Sequence, residues 1–264
     1  MELSKGHGAS AAAADAHLRL LQVALTAILG KIHAANVIHK DINPGNIVLN
    51  LETGVVKIID FGISTRFNRT SPTFKSHYGL EGTPAYLSPE QTGRMNRALD
   101  YRTDFYSLGV TFYQLLTGQL PFATADILEL VHCHIAKQPV RPHELDAAIP
   151  QSVSNIILKL MAKNAEDRYQ TAWGITGDLE RCVEQLEAVG QIDHFPLGLQ
   201  DISNQFQIPQ KLYGREVETG ALLTAFDRVA AGSNKERSRF NVELMLVSGC
   251  AGVGKSALVQ GLNR

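Results

Sequence analysis

The run His39-Lys40-Asp41-Ile42-Asn43-Pro44-Gly45-Asn46 puts an aspartate and an amide in one short loop, and Asp60-Phe61-Gly62 follows with Asp60 19 positions after Asp41. Two apolar runs, Asn46 to Asn50 and Val55 to Ile59, flank Glu52-Thr53-Gly54 and read as a hairpin with a glycine in its turn. A hairpin returns its second strand to where the first began, so Asp60 is expected at the mouth of the loop that holds Asp41. Two carboxylates and an amide then share one cleft. Magnesium takes oxygen ligands and neutralises charge on a moving phosphoryl group. One carboxylate can hold metal while the other orients an attacking hydroxyl. Asp-x-x-x-x-Asn or Asp-Phe-Gly alone says little; the two in this order, with a hairpin between, are a strong signal.

A second constellation is Gly249-Cys250-Ala251-Gly252-Val253-Gly254-Lys255-Ser256, which matches G-x-x-x-x-G-K-[ST]. It follows Glu243 to Val247, read as a buried strand, and opens a short helical pattern. Gly249, Gly252 and Gly254 would let backbone N–H groups face a polyphosphate at a helix N-terminus. Lys255 would reach the terminal phosphates and Ser256 would ligate magnesium.

The elements that must position these groups are mostly helical. Residues 1–15 read as a flexible lead-in, and Leu18, Leu21, Leu25, Ile28, Leu29 and Ile32 mark an amphipathic helix over 16–35. Val37-Ile38 is a short extended piece, and residues 62–90 form a long polar loop of the kind that usually carries function. A strongly apolar helix spans Thr103 to Leu116 and stops at Gly118. Further helical patterns cover 125–137, 152–163 and 171–188; 189–210 reads as a linker; Glu216 to Ala231 is helical again. His132 and His134 are two apart and face different sides of a helix, so no metal site is expected there.

Composition narrows the classes. Of 264 residues, 44% are hydrophobic and 19% charged, which excludes wholesale disorder. Lys plus Arg total 25 against 26 Asp plus Glu, a net charge of −1 that argues against a nucleic-acid partner. No apolar run approaches the roughly 18 residues of a membrane helix. Cys133, Cys182 and Cys250 lie far apart with no metal-ligand spacing, and no signal peptide is seen, so a reducing, cytoplasmic setting is expected.

Three further segments complete a series. Gly82-Thr83-Pro84-Ala85-Tyr86-Leu87-Ser88-Pro89-Glu90 comes first, Asp104-Phe105-Tyr106-Ser107-Leu108-Gly109 second, and Arg168 last. Together with His39 to Asn46 and Asp60 to Gly62, the series resembles the C-terminal lobe of eukaryotic-type serine/threonine protein kinases. The resemblance implies that Asp41 is the base accepting a substrate hydroxyl proton, that Asn46 and Asp60 hold magnesium, and that ATP is the phosphoryl donor. It implies that Thr83 marks the serine/threonine class, and that residues 63–87 form an activation segment. Thr70, Ser71, Thr73 and Ser76 lie in that segment and are either phosphorylation sites or plain loop hydroxyls. Glu90 would pair with Arg168, and Asp104 would bond the backbone of the catalytic loop; His39, Lys40 and Gly62 would support it.

The sequence departs from the family pattern in three places. Lys40 replaces the usual arginine, losing its planar two-point grip. Asn43 stands where a lysine usually contacts the transferring phosphate. Nothing before Asp41 offers a Gly-rich loop, a strand lysine or a helix glutamate, so an amino-terminal lobe is not expected within these residues. The expected fold is therefore a mainly α kinase C-lobe with a small β-hairpin, over 16–188, followed by the truncated start of an α/β P-loop NTPase domain over 211–264. Tyr213-Gly214-Arg215-Glu216 resembles the entry to AAA-type ATPase modules. Both halves in this order resemble large bacterial signalling proteins, familiar from cyanobacteria, that join a serine/threonine kinase to an ATPase and a sensor histidine kinase. That resemblance implies a fragment of such a protein, with protein Ser/Thr hydroxyls as substrate, phosphoryl transfer in the complete protein, and little or none from these residues alone. The alternatives are a non-catalytic docking module and a regulatory segment of a signalling ATPase.

Overall fold

The structure, a computed structural model, describes residues 10–50, 52–66, 81–93, 99–202, 214–232, 243–250, 255 and 258. It divides into two compact units. The first covers the described residues up to 202, and the second covers those from 214 onward.

In the first unit, α1 (Ser10–Ala34) begins six residues before the expected start. Ala11 to Ala14 are strong helix formers, so the Ala-rich lead-in continues the helix instead of fraying from it; residues 1–9 lie outside the described residues. Leu25 and Leu29 of α1 are fully buried. Asn36, at φ 57°, turns the chain from α1 into β1 (Val37–Ile38). The hairpin is present: β2 (Ile47–Leu49) pairs antiparallel with β3 (Val56–Ile58), Val48 opposite Lys57. Val56 and Ile58 face inward and Lys57 outward, the alternation a half-buried strand requires.

The described parts of the long loop after residue 62 hold regular structure that its composition does not suggest. They contain β4 (Thr65–Arg66), which pairs antiparallel with β1, and one-turn helices at Pro84–Tyr86 and Pro89–Thr92. Residues 67–80, with Thr70, Ser71, Thr73 and Ser76, lie outside the described residues.

Helix α2 (Arg102–Thr117) is the centre of the unit, with every residue from Arg102 to Tyr113 buried. A helix buried on all sides must be enclosed by others. Around it lie α3 (Ile127–Ala136), the short α4 (Pro142–Leu145), α5 (Gln151–Leu160) and α6 (Ala172–Val189). Helix α5 packs on α2, and α1 packs on α6. Phe105, Leu108, Phe112, Ile156, Leu160, Ile175 and Leu179 share one core with Leu25 and Leu29.

The expected linker over 189–210 is corrected in its first half. Residues 191–202 lie on the first unit, and 203–210 fall outside the described residues. Phe195 is buried beneath the Arg181 guanidinium, 4.6 Å from its ring centroid. Ser152 Oγ donates to Asp193 O at 2.8 Å, and Gly198 N donates to Asp178 Oδ2 at 2.7 Å. Asp201 accepts from Gln170 N (2.7 Å), Thr171 N (2.8 Å) and Thr171 Oγ (2.8 Å) at the start of α6. A carboxylate there meets unpaired N–H groups and the positive end of the helix. Polar composition reads as linker, yet these polar groups are spent on α5 and α6.

The second unit, taken by itself, contains α7 (Glu216–Gly232), with Leu222 and Ala225 buried. Residues 243–250 are not in a strand, contrary to the expectation for Glu243 to Val247. Leu244 and Leu246 are 95% and 91% exposed. A strand needs a neighbour for its N–H and C=O groups, and the described residues of this unit provide none. Glu243 instead pairs with Arg228 of α7. The P-loop half of the expected fold class is thus not seen as a folded sheet among the described residues. None of their helices is long and apolar enough to cross a membrane.

Glycines 174 and 177 test the packing of 191–202 on α6. An added Cβ at Gly174 would lie 2.5 Å from the Asp201 Cβ, whereas at Gly177 it would meet mainly the movable Gln200 Oε1 at 2.9 Å. Mid-helix Gly to Ala ordinarily stabilises by about 1 kcal/mol. Gly177→Ala is expected to keep that gain, while Gly174→Ala is expected to lose about 1–3 kcal/mol to overpacking. Thermal denaturation of the two variants checks this; equal effects would show that 191–202 does not press on α6.

Candidate active site

The loop from His39 to Asn46 is built around a buried carboxylate on another element. Asp104, in the first turn of α2, is 0% exposed. Its Oδ2 accepts from His39 N at 2.9 Å and its Oδ1 from Lys40 N at 2.7 Å. His33 Nε2, at the end of α1, lies 2.8 Å from Oδ2. These bonds hold Lys40 at φ 71°, a left-handed conformation that costs a non-glycine residue about 1–2 kcal/mol. The position next to it, Asp41, is thereby aimed.

His39 links the loop to the hairpin. Its Nε2–H donates to Ile59 O at 3.0 Å while Nδ1 accepts from Asp41 N at 3.3 Å, so a single neutral tautomer serves both. Ile59 N donates to Asn46 O at 2.9 Å. Asp60 therefore follows a residue tied to both ends of the loop. It stands at φ 63°, exposed, with Gly62 N donating to its Oδ1 at 3.2 Å. The His39 ring meets Phe61 edge-on, 4.7 Å between centroids.

Both oxygens of Asp41 are held. Oδ1 accepts from Thr83 N at 2.9 Å, and Oδ2 from Asn46 Nδ2 at 3.0 Å. The same Asn46 nitrogen donates to Asp41 O at 2.8 Å. Asn43 Nδ2 reaches Thr83 Oγ at 3.2 Å and Asp41 O at 3.3 Å, and its Oδ1 accepts from Gly45 N at 2.9 Å. The structure thus brings Asp41, Asn46 and Thr83 into direct contact and sets Asp60 two residues past β3, directly after Ile59, whose N–H bonds Asn46 O. The donor set suits magnesium, which binds through one or two protein oxygens plus water and phosphate: Asp60 offers an exposed carboxylate, and Asn46, whose nitrogen serves Asp41, offers its amide oxygen. Among the described residues no three His, Cys, Asp or Glu side chains form a metal-holding group.

Glu90 and Arg168 anchor the downstream side. Arg168 Nη1 donates to Glu90 Oε1 at 2.6 Å and Nη2 to Oε2 at 2.9 Å. Arg168 also donates to Ala162 O, Lys163 O and Arg102 O, and Thr103 Oγ donates to Glu90 at 2.8 Å. Burial alone would push the Glu90 carboxyl up. The Arg168 charge and hydrogen bonds, with help from Glu90's own N–H and Thr103, hold it down at about 2.

His33 and Thr103 escaped the sequence reading, as did two groups on the polar segment around Thr83, namely Gln91 and Glu81. Gln91 donates from Nε2 to Lys40 O at 2.7 Å and accepts Ser88 N at 3.0 Å. The Ser-x-x-Gln spacing of a capping box was its available signal. Glu81 lies 3.3 Å from Lys40 Nζ, and no motif marked it. The phosphate-loop candidates are only partly described. Gly252, Gly254 and Ser256 lie outside the described residues. Lys255 Nζ donates to Gly249 O and Cys250 O, both at 2.8 Å, so its amine serves the loop's own carbonyls.

The family profile described as protein kinase domain matches residues 6–176. Serine/threonine-protein kinase PksC of Streptomyces coelicolor is 35% identical over 156 residues, 59% of this chain and 28% of that protein. Serine/threonine-protein kinase PknB of Mycolicibacterium smegmatis is 36% identical over 152 residues, 58% of this chain and 24% of that protein. Hybrid signal transduction histidine kinase G of Dictyostelium discoideum is 32% identical over 327 aligned residues, 90% of this chain and 9% of that protein. The chain spans under a third of the length of each of these relatives.

Glu90 gives a pH signature. Its folded-state value is depressed, so its contribution is whole above about pH 4.5 and fades as pH falls toward about 2. Glu90→Gln is expected to cost about 3–5 kcal/mol at pH 7, because Arg168 is left buried without its counter-charge. The gap between wild type and variant should narrow when urea unfolding is measured from pH 5 down to pH 2. A constant gap would place the acid-sensitive proton elsewhere.

Proposed function

We propose a function from one established premise: the chain belongs to the protein kinase domain family. The activity we infer is serine/threonine phosphoryl transfer, in which the γ-phosphoryl group of ATP passes to a protein hydroxyl. The observation that carries this reading is the Asp41 carboxylate. One oxygen is fixed by Thr83 N–H and the other by the Asn46 amide, in a loop that a hairpin ties to Asp60.

In this reading Asp41 orients the substrate hydroxyl and takes its proton as the oxygen–phosphorus bond forms and ADP leaves. Thr83 N–H and Asn46 keep the carboxylate from swinging, so orientation is set before substrate arrives. Asn46 and Asp60 would hold magnesium, which when bound neutralises charge on the phosphates. Asn43 supplies no cation; its amide braces Thr83 instead. Elements that cover the nucleotide would meet the apolar surface beside the loop, where Ile28, Ile32, Val37 and Phe61 line a groove of about 490 Å³.

The rest of the reading concerns the protein around this lobe. Residues 211–264 are proposed as the start of an ATP-binding P-loop domain, supported by the match at Gly249 to Ser256. The Dictyostelium alignment takes in 90% of the chain and so runs past residue 176. The histidine kinase part of the proposed signalling protein accords with that relative's name, hybrid signal transduction histidine kinase, while the ATPase part rests on the Gly249 to Ser256 match alone. A second reading, a docking module without catalysis, is favoured by Asn43, which leaves one cation fewer for the developing charge.

Transfer of labelled phosphate from ATP to casein by the full-length protein tests the choice. Asp41→Asn is expected to lower kcat by about 10²–10⁴-fold with the fold intact by circular dichroism. Wild-type transfer that survives this substitution would overturn the role given to Asp41. No transfer by wild type would put the docking reading first.

A further inference from the structure

Lys40 is a cation in a place that needs an explanation. Its side chain is 8% exposed, and a buried ammonium is costly unless it is paired. Among the described residues the carboxylate it meets is Glu81, 3.3 Å from Nζ and 42% exposed. The Lys40 backbone is spoken for on both sides, its N–H by Asp104 and its carbonyl by Gln91, each at 2.7 Å. Three elements therefore converge on one residue: α2 through Asp104, the turn after Pro89 through Gln91, and the segment entering Thr83 through Glu81.

Glu81 lies two residues before Thr83, whose N–H holds Asp41. Between them Gly82, at φ 106°, lies flush on the loop: a Cβ there would come within 3.2 Å of Lys40 O and 3.5 Å of Asp41 Oδ1. Contact on both sides of Gly82 fixes both position and orientation, where one bond would allow rotation. We propose that Glu81 is a positioning residue: it neutralises Lys40 and, with Gln91, clamps residues 81–83 onto the loop so that Thr83 N–H stays on Asp41. The proposal rests on the kinase reading of Asp41. It also carries a regulatory consequence. The counter-charge is a carboxylate encoded in the chain, so seating this segment needs no phosphate on Thr70, Ser71, Thr73 or Ser76.

The test uses the full-length protein and two readouts. One is phosphoryl transfer from ATP to casein, with kcat and KM separated. The other is the rate at which acetic anhydride acetylates Lys40, followed by mass spectrometry, which needs no catalysis. Glu81→Gln is expected to lower kcat about three- to fivefold, the order of a half-exposed ion pair, with KM for ATP within about twofold. Lys40→Met is expected to do the same, and the double variant to lose no more than the worse single one. Acetylation of Lys40 should quicken severalfold in Glu81→Gln, and phosphatase treatment of wild type should leave kcat within about twofold. Unchanged Lys40 acetylation in Glu81→Gln would overturn the clamp whether or not the protein is active. Loss of activity on phosphatase treatment, with Glu81→Gln indistinguishable from wild type, would assign the counter-charge to a phosphate and overturn it as well. Quickened acetylation in a protein that transfers no phosphate would sink the kinase reading while leaving the Lys40–Glu81 contact standing.

Discussion

A fully buried carboxylate, Asp104, is the constraint on which the loop of Asp41 depends. Burying an ion is unfavourable unless donors replace its water. Asp104 has two backbone N–H groups, the His33 ring and the N-terminal turn of α2. The donors come from chain segments more than 60 residues away in sequence, since His39 and Lys40 are 65 and 64 positions removed. Removing the carboxylate would orphan those donors and free Lys40 to leave its left-handed conformation. The loop is thus held as part of the core that α2 organises, although it lies at the edge of that core.

A second buried ion pair does for the downstream segment what Asp104 does for the loop. Arg168 meets Glu90 with two parallel bonds and spends its remaining donors on carbonyls at 102, 162 and 163. Such a pair is weak evidence for stability, because desolvation opposes the attraction. Its geometric content is larger: the planar fork fits only one placement of the carboxylate. From there Gln91 and Ser88 carry the alignment back to Lys40. Two anchors, one on each side, leave the segment before Pro84 little freedom to move relative to Asp41.

The candidate site was legible where chemistry demands particular residue types at close spacing. Asp41 and Asn46 are five positions apart, and a turn brings them into hydrogen-bond contact. Thr83, 42 positions from Asp41, came only with the family resemblance, because spacing alone cannot say which distant backbone N–H a carboxylate will accept. Glu81 and Gln91 left no comparable trace. Their roles depend on facing Lys40, and a glutamate or glutamine on a polar loop looks like any solvated residue. The segment over 191–202 was misread for the same reason: Asp193, Gly198 and Asp201 have linker composition, and α5 and the start and body of α6 give them partners.

By itself the sequence determined the helices with strong periodicity, the hairpin and the order of the motif residues. These follow from local rules: side-chain period, turn chemistry and caps act within a few residues. Tertiary structure decided which carboxylate faces which donor, where polar segments are clamped and where apolar ones stay exposed. Leu244 and Leu246 have the alternation of a strand, but a strand's hydrogen bonds belong to its neighbour, and the described residues of their unit hold none. Pairing across tens of residues depends on loop closure and shared burial, and a run of residue types does not encode those locally.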